Sequence, residues 1–151
     1  MPVSISIETP DQPGVIRLLE AGDALSASLY RAESNHMLAL DALLDPAVIF
    51  LVARSSGAVV GCGSLMRKAG YGEIKRMFVD EKVRGQGIAR RFLARIVEIA
   101  RAEGVPAVRL ETGIHQPAAI ALYRGAGFVD VPPFGEYEPD PLSVFMELPL
   151  R

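Results

Sequence analysis

The sequence predicts a single α/β domain spanning residues 1–151, built on a mixed sheet of about seven strands with flanking helices. Three observations lead there. Strand and helix periodicities follow one another in the order β-α-α-β-β-β-α-β-α-β-β. Three consecutive strands are joined by tight turns, which makes an antiparallel meander, whereas the next strand is reached across a helix and so runs parallel to its neighbour. Finally, 151 residues, half of them hydrophobic and 23% charged, suit one soluble core, with no repeat, linker or low-complexity tract to divide it.

Residues 2–8 alternate, with Val3, Ile5 and Ile7 against Ser4, Ser6 and Glu8, as a half-buried strand does. Thr9-Pro10-Asp11-Gln12-Pro13 ends it and starts a helix. Val15, Leu18, Leu19, Leu25, Leu29 and Tyr30 form the helical stripe; Gly22-Asp23 is a candidate interruption and Ser34-Asn35-His36 closes it. A shorter helix is expected over 40–44, ended by Asp45-Pro46. Residues 48–54 and 58–67 flank the turn Ser55-Ser56-Gly57 and predict a hairpin. Lys68-Ala69-Gly70-Tyr71-Gly72 turns into a strand over 73–79, with Ile74 and Phe78 on one face.

From Ile88 onward, Ile88, Phe92, Ile96 and Ile99 recur every three or four residues, with Leu93, Val97 and Ala100 beside them. Arg91, Arg95 and Glu98 lie toward the other face, so this is an amphipathic helix. It ends near Glu103-Gly104, where Gly104 suits a C-cap. A strand over 106–111, a helix over 117–124 ended by Gly125-Ala126-Gly127, a strand over 128–131, a proline-bearing loop over 132–141 and a strand over 143–148 complete the chain.

Composition excludes several functions. A net charge of −2 with no basic face argues against a nucleic-acid partner. There is no secretory leader pattern and no apolar run long enough to span a bilayer, so no membrane partner and a cytoplasmic location are expected. One cysteine cannot form an intrachain disulfide framework; Cys62, in Val59-Val60-Gly61-Cys62-Gly63, reads as a buried core thiol. His36, His115 and Cys62 do not make a metal-ligand spacing, and no metal is expected.

The stretch Arg84-Gly85-Gln86-Gly87-Ile88-Ala89 has chemistry of its own. The first N–H groups of a helix have no intrahelical partner, and glycines let a ligand approach the backbone closely. With the helix dipole and the charge of Arg84, this makes an anion site suited to phosphate. A dinucleotide fingerprint would need a third glycine where Arg90 stands, and the Gly-Lys-Ser/Thr of a Walker A loop is absent. The form Arg84-x-x-Gly87-x-Ala89, directly after a strand, resembles the acetyl-CoA signature of the GCN5-related N-acetyltransferase (GNAT) family, and Gly85 matches its common Arg-Gly start. Residues 110–128 resemble that family's second landmark, Asn-x-x-Ala-x-x-x-Tyr before Gly-Phe. Ala119, Leu122, Tyr123, Gly127 and Phe128 match; Gln116 stands where asparagine is usual. The resemblance covers nearly the whole chain.

It implies acetyl-CoA as co-substrate, with its pyrophosphate on Arg84, Gly85, Gln86, Gly87, Ile88 and Ala89. The backbone of Met77, Phe78 and Val79 would pair with the pantetheine arm where two parallel strands splay, and a backbone N–H there would polarise the thioester carbonyl. Gln116 lies at the position that contacts the pantetheine region in relatives. Tyr123 would be the general acid for the leaving thiolate, against the reading of a core tyrosine with a structural hydroxyl. Glu73 would be the base, against the reading of a strand-end carboxylate paired with Lys75; His115 is a rival base or an uninvolved loop histidine.

The acceptor site is expected from residues 30–41 and 132–143. In the second segment Phe134 and Tyr137 could pack on an amine, and Glu136, Glu138 and Asp140 could attract its charge, although the loop reads first as rigid and solvated. The implied reaction is acetylation of a primary amine of a small molecule by direct attack in a ternary complex. Alternatives are a protein lysine or N-terminal acetyltransferase and a non-catalytic acyl-CoA-binding module. A homodimer is a family-level expectation.

Overall fold

The computed structural model describes residues 2–30 and 39–150. In chain order these form β1 (Val3–Ile7), α1 (Pro13–Leu29), α2 (Leu40–Leu43), β2 (Val48–Ser55), β3 (Ala58–Lys68), β4 (Tyr71–Val79), α3 (Ile88–Ala102), β5 (Ala107–Gly113), α4 (Pro117–Gly125), β6 (Val129–Asp130) and β7 (Ser143–Pro149). The seven described strands make one sheet in the order β1-β2-β3-β4-β5-β7-β6. Only the β4–β5 pairing is parallel. Element order and mixed pairing are those the sequence predicts. Helix α1 ends at Leu29, with Tyr30 already extended (φ −135°), short of the expected end at Ser34-Asn35-His36, which itself lies outside the described residues. Among the described residues no helix is long and apolar enough to cross a membrane.

The sheet is buried on both faces, which explains the unbroken apolar run of β2. Ile49, Leu51 and Ala53 join the cluster around Phe92 and Ile96 of α3. Phe50 and Val52 join Val15, Leu18 and Leu19 of α1, with Leu43 of α2 and Cys62 of β3. Two left-handed residues, Ser56 (φ 51°) and Gly57 (φ 84°), close the β2–β3 hairpin, the backbone a tight two-residue turn requires.

Three expectations need correction. Helix α1 runs unbroken through Gly22, which is buried; one glycine costs a helix only about 1 kcal/mol, less than the packing of this stripe returns. Ile7 is 62% exposed, because β1 is an edge strand and its last residue runs past the cover of the core. Ile74 and Phe78 do not share a face: Ile74 packs with α3, and Phe78 packs with the α1 cluster. The cause is a β-bulge. Cys62 pairs with Phe78 but Ser64 pairs with Lys75, so the single residue Gly63 spans both Arg76 and Met77. Arg76 takes φ 59° there. One extra residue inverts the alternation of everything after it.

Already ahead of the bulge, β4 and β5 part. They register only at Gly72↔Val108 and Glu73↔Arg109, at the start of both strands.

Arg54 ties the β1 edge to α1 and the hairpin. Its Nε donates to Glu8 Oε2 at 3.0 Å, its NH2 to Glu8 Oε1 at 2.8 Å and Gln12 Oε1 at 2.7 Å, and its NH1 to the Gly57 carbonyl at 2.7 Å. The Arg54 hydrogen bonds hold the Glu8 carboxyl at about 2, below its ordinary 4.5. Because the folded value is the lower one, this contribution is complete above the ordinary value and is lost as pH falls through about 2. Glu8→Gln is therefore expected to lower Tm at pH 7 and to flatten its fall between pH 4.5 and 2. Thermal melts across that range check it; an unchanged slope would show that the pair contributes nothing.

Candidate active site

Where β4 and β5 part, a cleft of about 150 Å³ opens into the sheet. Leu18, Ser26 and Tyr30 of the α1 side wall it, with the β4 segment 74–78, the β5 segment 110–113, Gln116, Tyr123 and Tyr137.

The glycine turn stands at one end of β4. Asp80 accepts from Lys82 N at 3.0 Å and starts a single 3-10 turn at Glu81–Val83. Gly85 (φ 84°) and Gly87 (φ 78°) then swing the chain into α3, whose first residue Ile88 is anchored in the core. A Cβ at either glycine would meet nothing within 4 Å, so glycine is needed for the backbone conformation and the space outside stays open. The N–H groups of the first α3 turn face that space with the helix dipole behind them. Arg84 braces the turn: its Nε donates to the Val79 carbonyl at 3.2 Å, and its guanidinium lies 5.3 Å from the centre of the Phe78 ring. Gln86 is exposed and Ala89 half-buried. An open nest of N–H groups beside an arginine fits a pyrophosphate. Met77 and Phe78 line the cleft itself, while Val79 faces the core on the α3 side.

Tyr123 reaches the cleft from α4. It is 7% exposed, and its ring meets Phe128 edge-on at 5.7 Å. Burial holds its hydroxyl well above the ordinary phenol range, so it keeps its proton at neutral pH.

Glu73 stands one layer behind the cleft wall. It is 3% exposed, and its Oε2 accepts from the Tyr137 hydroxyl at 2.7 Å and lies 3.1 Å from Lys75 Nζ. The pairing with Lys75 is thus present. Tyr137 and Lys75 both line the cleft. The Tyr137 hydroxyl also bonds Lys75, and burial together with Glu73 raises it far above the phenol range.

His115 does not line the cleft. Its exposed ring stacks on Tyr30 at 5.4 Å, and its backbone N–H donates to the Tyr30 hydroxyl at 3.1 Å. That hydroxyl donates in turn to Gln116 Oε1 at 3.3 Å. Tyr30 therefore straps the end of α1 to the turn before α4.

The loop before β7 departs from the solvated reading. Phe134 is 8% exposed and packs edge-on against Tyr71, Tyr137 and Phe145 at 5.4–5.9 Å, which folds the loop onto the sheet. Its aromatic content outweighs its prolines and charges. Glu136 and Glu138 stay exposed, and Asp140 accepts from Leu142 N at 2.9 Å where β7 begins.

Two residues of the cleft escape sequence reasoning. Glu111 on β5 lines it as a half-buried carboxylate, with Oε2 accepting from Ser143 Oγ at 2.8 Å. Burial first, and the Glu111 charge in addition, raise the phenols of both Tyr30 and Tyr137. Strand alternation signals it, since Leu110 belongs to the α3 core and Glu111 must face the other way. Arg76 is the second, with a side chain only 4% exposed. It bonds Asp23 Oδ1 at 2.5 Å and the Leu19 carbonyl at 3.0 Å. Among the described residues its Nε is the one buried side-chain polar atom without a partner.

The sequence model of the Acetyltransferase (GNAT) family matches residues 17–128. A protein of Azospirillum brasilense named IAA acetyltransferase is 54% identical over 150 residues, covering 98% of each chain. A solved structure from Klebsiella pneumoniae, described as an acyl-CoA N-acyltransferase, is 39% identical with a TM-score of 0.83, covering 99% of this chain and 98% of that one. The PaiA N-acetyltransferase of Thermoplasma acidophilum, solved with coenzyme A, shares the fold at 18% identity, with a TM-score of 0.79 and 99% of each chain covered.

The Tyr30 strap generates a test of its own. A Cβ on Gly113 would fall 1.8 Å from the Tyr30 hydroxyl oxygen. Gly113→Ala should cost about 1–3 kcal/mol in denaturant unfolding, and almost nothing in a Tyr30→Ala background, where the clash is gone. Equal costs in both backgrounds would dismiss the strap.

Proposed function

The chain belongs to the acetyltransferase (GNAT) family, and we propose that it moves an acetyl group from acetyl-CoA to a primary amine of a small molecule, by direct attack in a ternary complex. The observation that carries this reading is the parting of β4 and β5. One cleft thereby has the buried phenol of Tyr123 and the carboxylate of Glu111 in its walls.

Acetyl-CoA, when bound, supplies an acyl group activated as a thioester. The turn Arg84, Gly85, Gln86, Gly87, Ile88 and Ala89 would hold its pyrophosphate, and the backbone of Met77, Phe78 and Val79 would hold its arm. Beyond Glu73↔Arg109 that part of β4 has no registered partner on β5, and a backbone N–H there is a ready donor to a carbonyl oxygen. Gln116 engages Tyr30 through its amide oxygen, which leaves its NH2 as the end able to bond the arm. Tyr123 holds a proton where a departing thiolate needs one. Glu111 receives the positive charge of an amine, and Glu73 is the final acceptor of its proton.

The Tyr30 strap favours a small acceptor over a protein side chain or terminus. A peptide needs a groove open at both ends, and here α1 is joined across to the turn before α4. The relative named IAA acetyltransferase places IAA among the compounds to try beside the amines.

Tyr123→Phe tests the assignment. With turnover read by free thiol release, kcat is expected to fall by about 100-fold while the acetyl-CoA Kd changes less than twofold. Unchanged kcat would reduce Tyr123 to a packing residue.

A further inference from the structure

We propose that Tyr137 is a further catalytic residue, whose hydroxyl takes the proton of the acceptor amine while passing its own to Glu73. This rests on the amine-acetylation reading and supplies what that reading lacks, since Glu73 is not part of the cleft wall.

Glu73 and Lys75 lie two residues apart on β4, ahead of the bulge, and so share a face. Their side chains are 3% and 14% exposed. A buried ion pair is seldom more stable than apolar side chains of the same shape. The ring of Tyr137 is already placed by Phe134 and Phe145, and a phenylalanine would fill that place equally well. What the hydroxyl adds is a connection between cleft and carboxylate.

Its polarity is fixed by its neighbours. An ammonium can only donate and a carboxylate can only accept, so the Tyr137 oxygen accepts from Lys75 and its hydrogen goes to Glu73 Oε2, at 2.7 Å. Toward any third group Tyr137 is therefore an acceptor, which is what an N–H requires. Tyr123 is the converse, a buried phenol that keeps its proton for donation. Among the described residues, the charged and titratable groups acting on Tyr137 include Glu73, Lys75 and Tyr71 on β4 and Glu111 on β5. Burial and Glu73 oppose the phenolate, so Tyr137 cannot store a negative charge. It can take one proton only as it gives one up.

The step balances. An N–H bond of the acceptor ammonium breaks as an O–H bond forms on Tyr137. The original O–H of Tyr137 breaks as one forms on Glu73 Oε2. The nitrogen keeps its electron pair for attack, and Glu73 becomes neutral beside Lys75. After product leaves, the proton returns through Tyr137 to water in the emptied cleft.

The experiment is kcat/KM against pH for the wild type, Tyr137→Phe, Glu73→Gln and the double variant, on an amine the wild type acetylates, with Tm and the acetyl-CoA Kd measured alongside. The expected result is a loss of about 100-fold for Tyr137→Phe. Its acidic limb should disappear, Kd should stay unchanged, and the double variant should be no worse than Tyr137→Phe alone. If Glu73→Gln unfolds the chain by stranding Lys75, Glu73→Gln with Lys75→Met removes both charges and takes its place. Losses that multiply, a Tyr137→Phe variant within twofold of wild type, or an acidic limb erased by Glu111→Gln alone would each overturn the relay. A wild type that acetylates no amine at all would overturn the amine reading and the relay with it.

Discussion

Arg76 holds a left-handed backbone, φ 59°, inside a strand, a conformation that costs a non-glycine residue about 1–2 kcal/mol. Its own side chain helps offset that cost. The guanidinium reaches under α1 to the Leu19 carbonyl and to Asp23, so the helix and the bulge fix each other. Much of the rest of the molecule follows from this point. Before it, Glu73 and Lys75 face the β7 loop; after it, Phe78 faces α1 and Met77 the α3 core. Past the first two paired residues, β4 is no longer in register with β5, and a cleft stands where a regular sheet would have been closed.

The cleft is defined by how its polar groups are held. Tyr123 is buried among apolar residues, and Tyr137 is held between a cation and an anion. In the proposed reaction the same side chain thus serves two opposite purposes, because a phenol takes its role from its partners. The outer polar groups position the inner ones: Ser143 steadies Glu111, Tyr30 steadies Gln116, and Arg84 braces the end of β4 on which the glycine turn is hung. Precision of this kind needs rigid support, and most of these side chains stand on strands or helix ends.

Much of this was legible in the sequence. Periodicity and turn residues gave the order of the elements, and the two flanking apolar runs gave the hairpin. Gly85 and Gly87 marked the turn into α3, and Cys62 is the buried thiol its surroundings implied, fully covered and pushed up to about 12 by burial. The bulge was not legible, because an arginine occupies a conformation that pattern reading reserves for glycine. With the bulge went the phase of Phe78. The loop over 132–141 misled through its prolines and acids, whereas Phe134 and Tyr137, three residues apart, do its anchoring. Glu111 was passed over inside the second landmark, ahead of its matching positions, and the bond from Tyr30 to Gln116 joins residues distant in sequence. What was missed depends on side chains meeting across the sheet, which no local window contains.

We propose that the glycine turn and the parted strands together form an acetyl-CoA site. Calorimetric titration with acetyl-CoA, for the wild type and for Gly87→Glu, tests it most directly. At φ 78° the substitution strains the backbone, but a Cβ there meets no neighbour within 4 Å, so the variant should fold with a modest loss of Tm. Saturable one-to-one binding is expected for the wild type and none for the folded variant, whose carboxylate occupies the nest. Equal affinity in both, or no binding by the wild type, would contradict it.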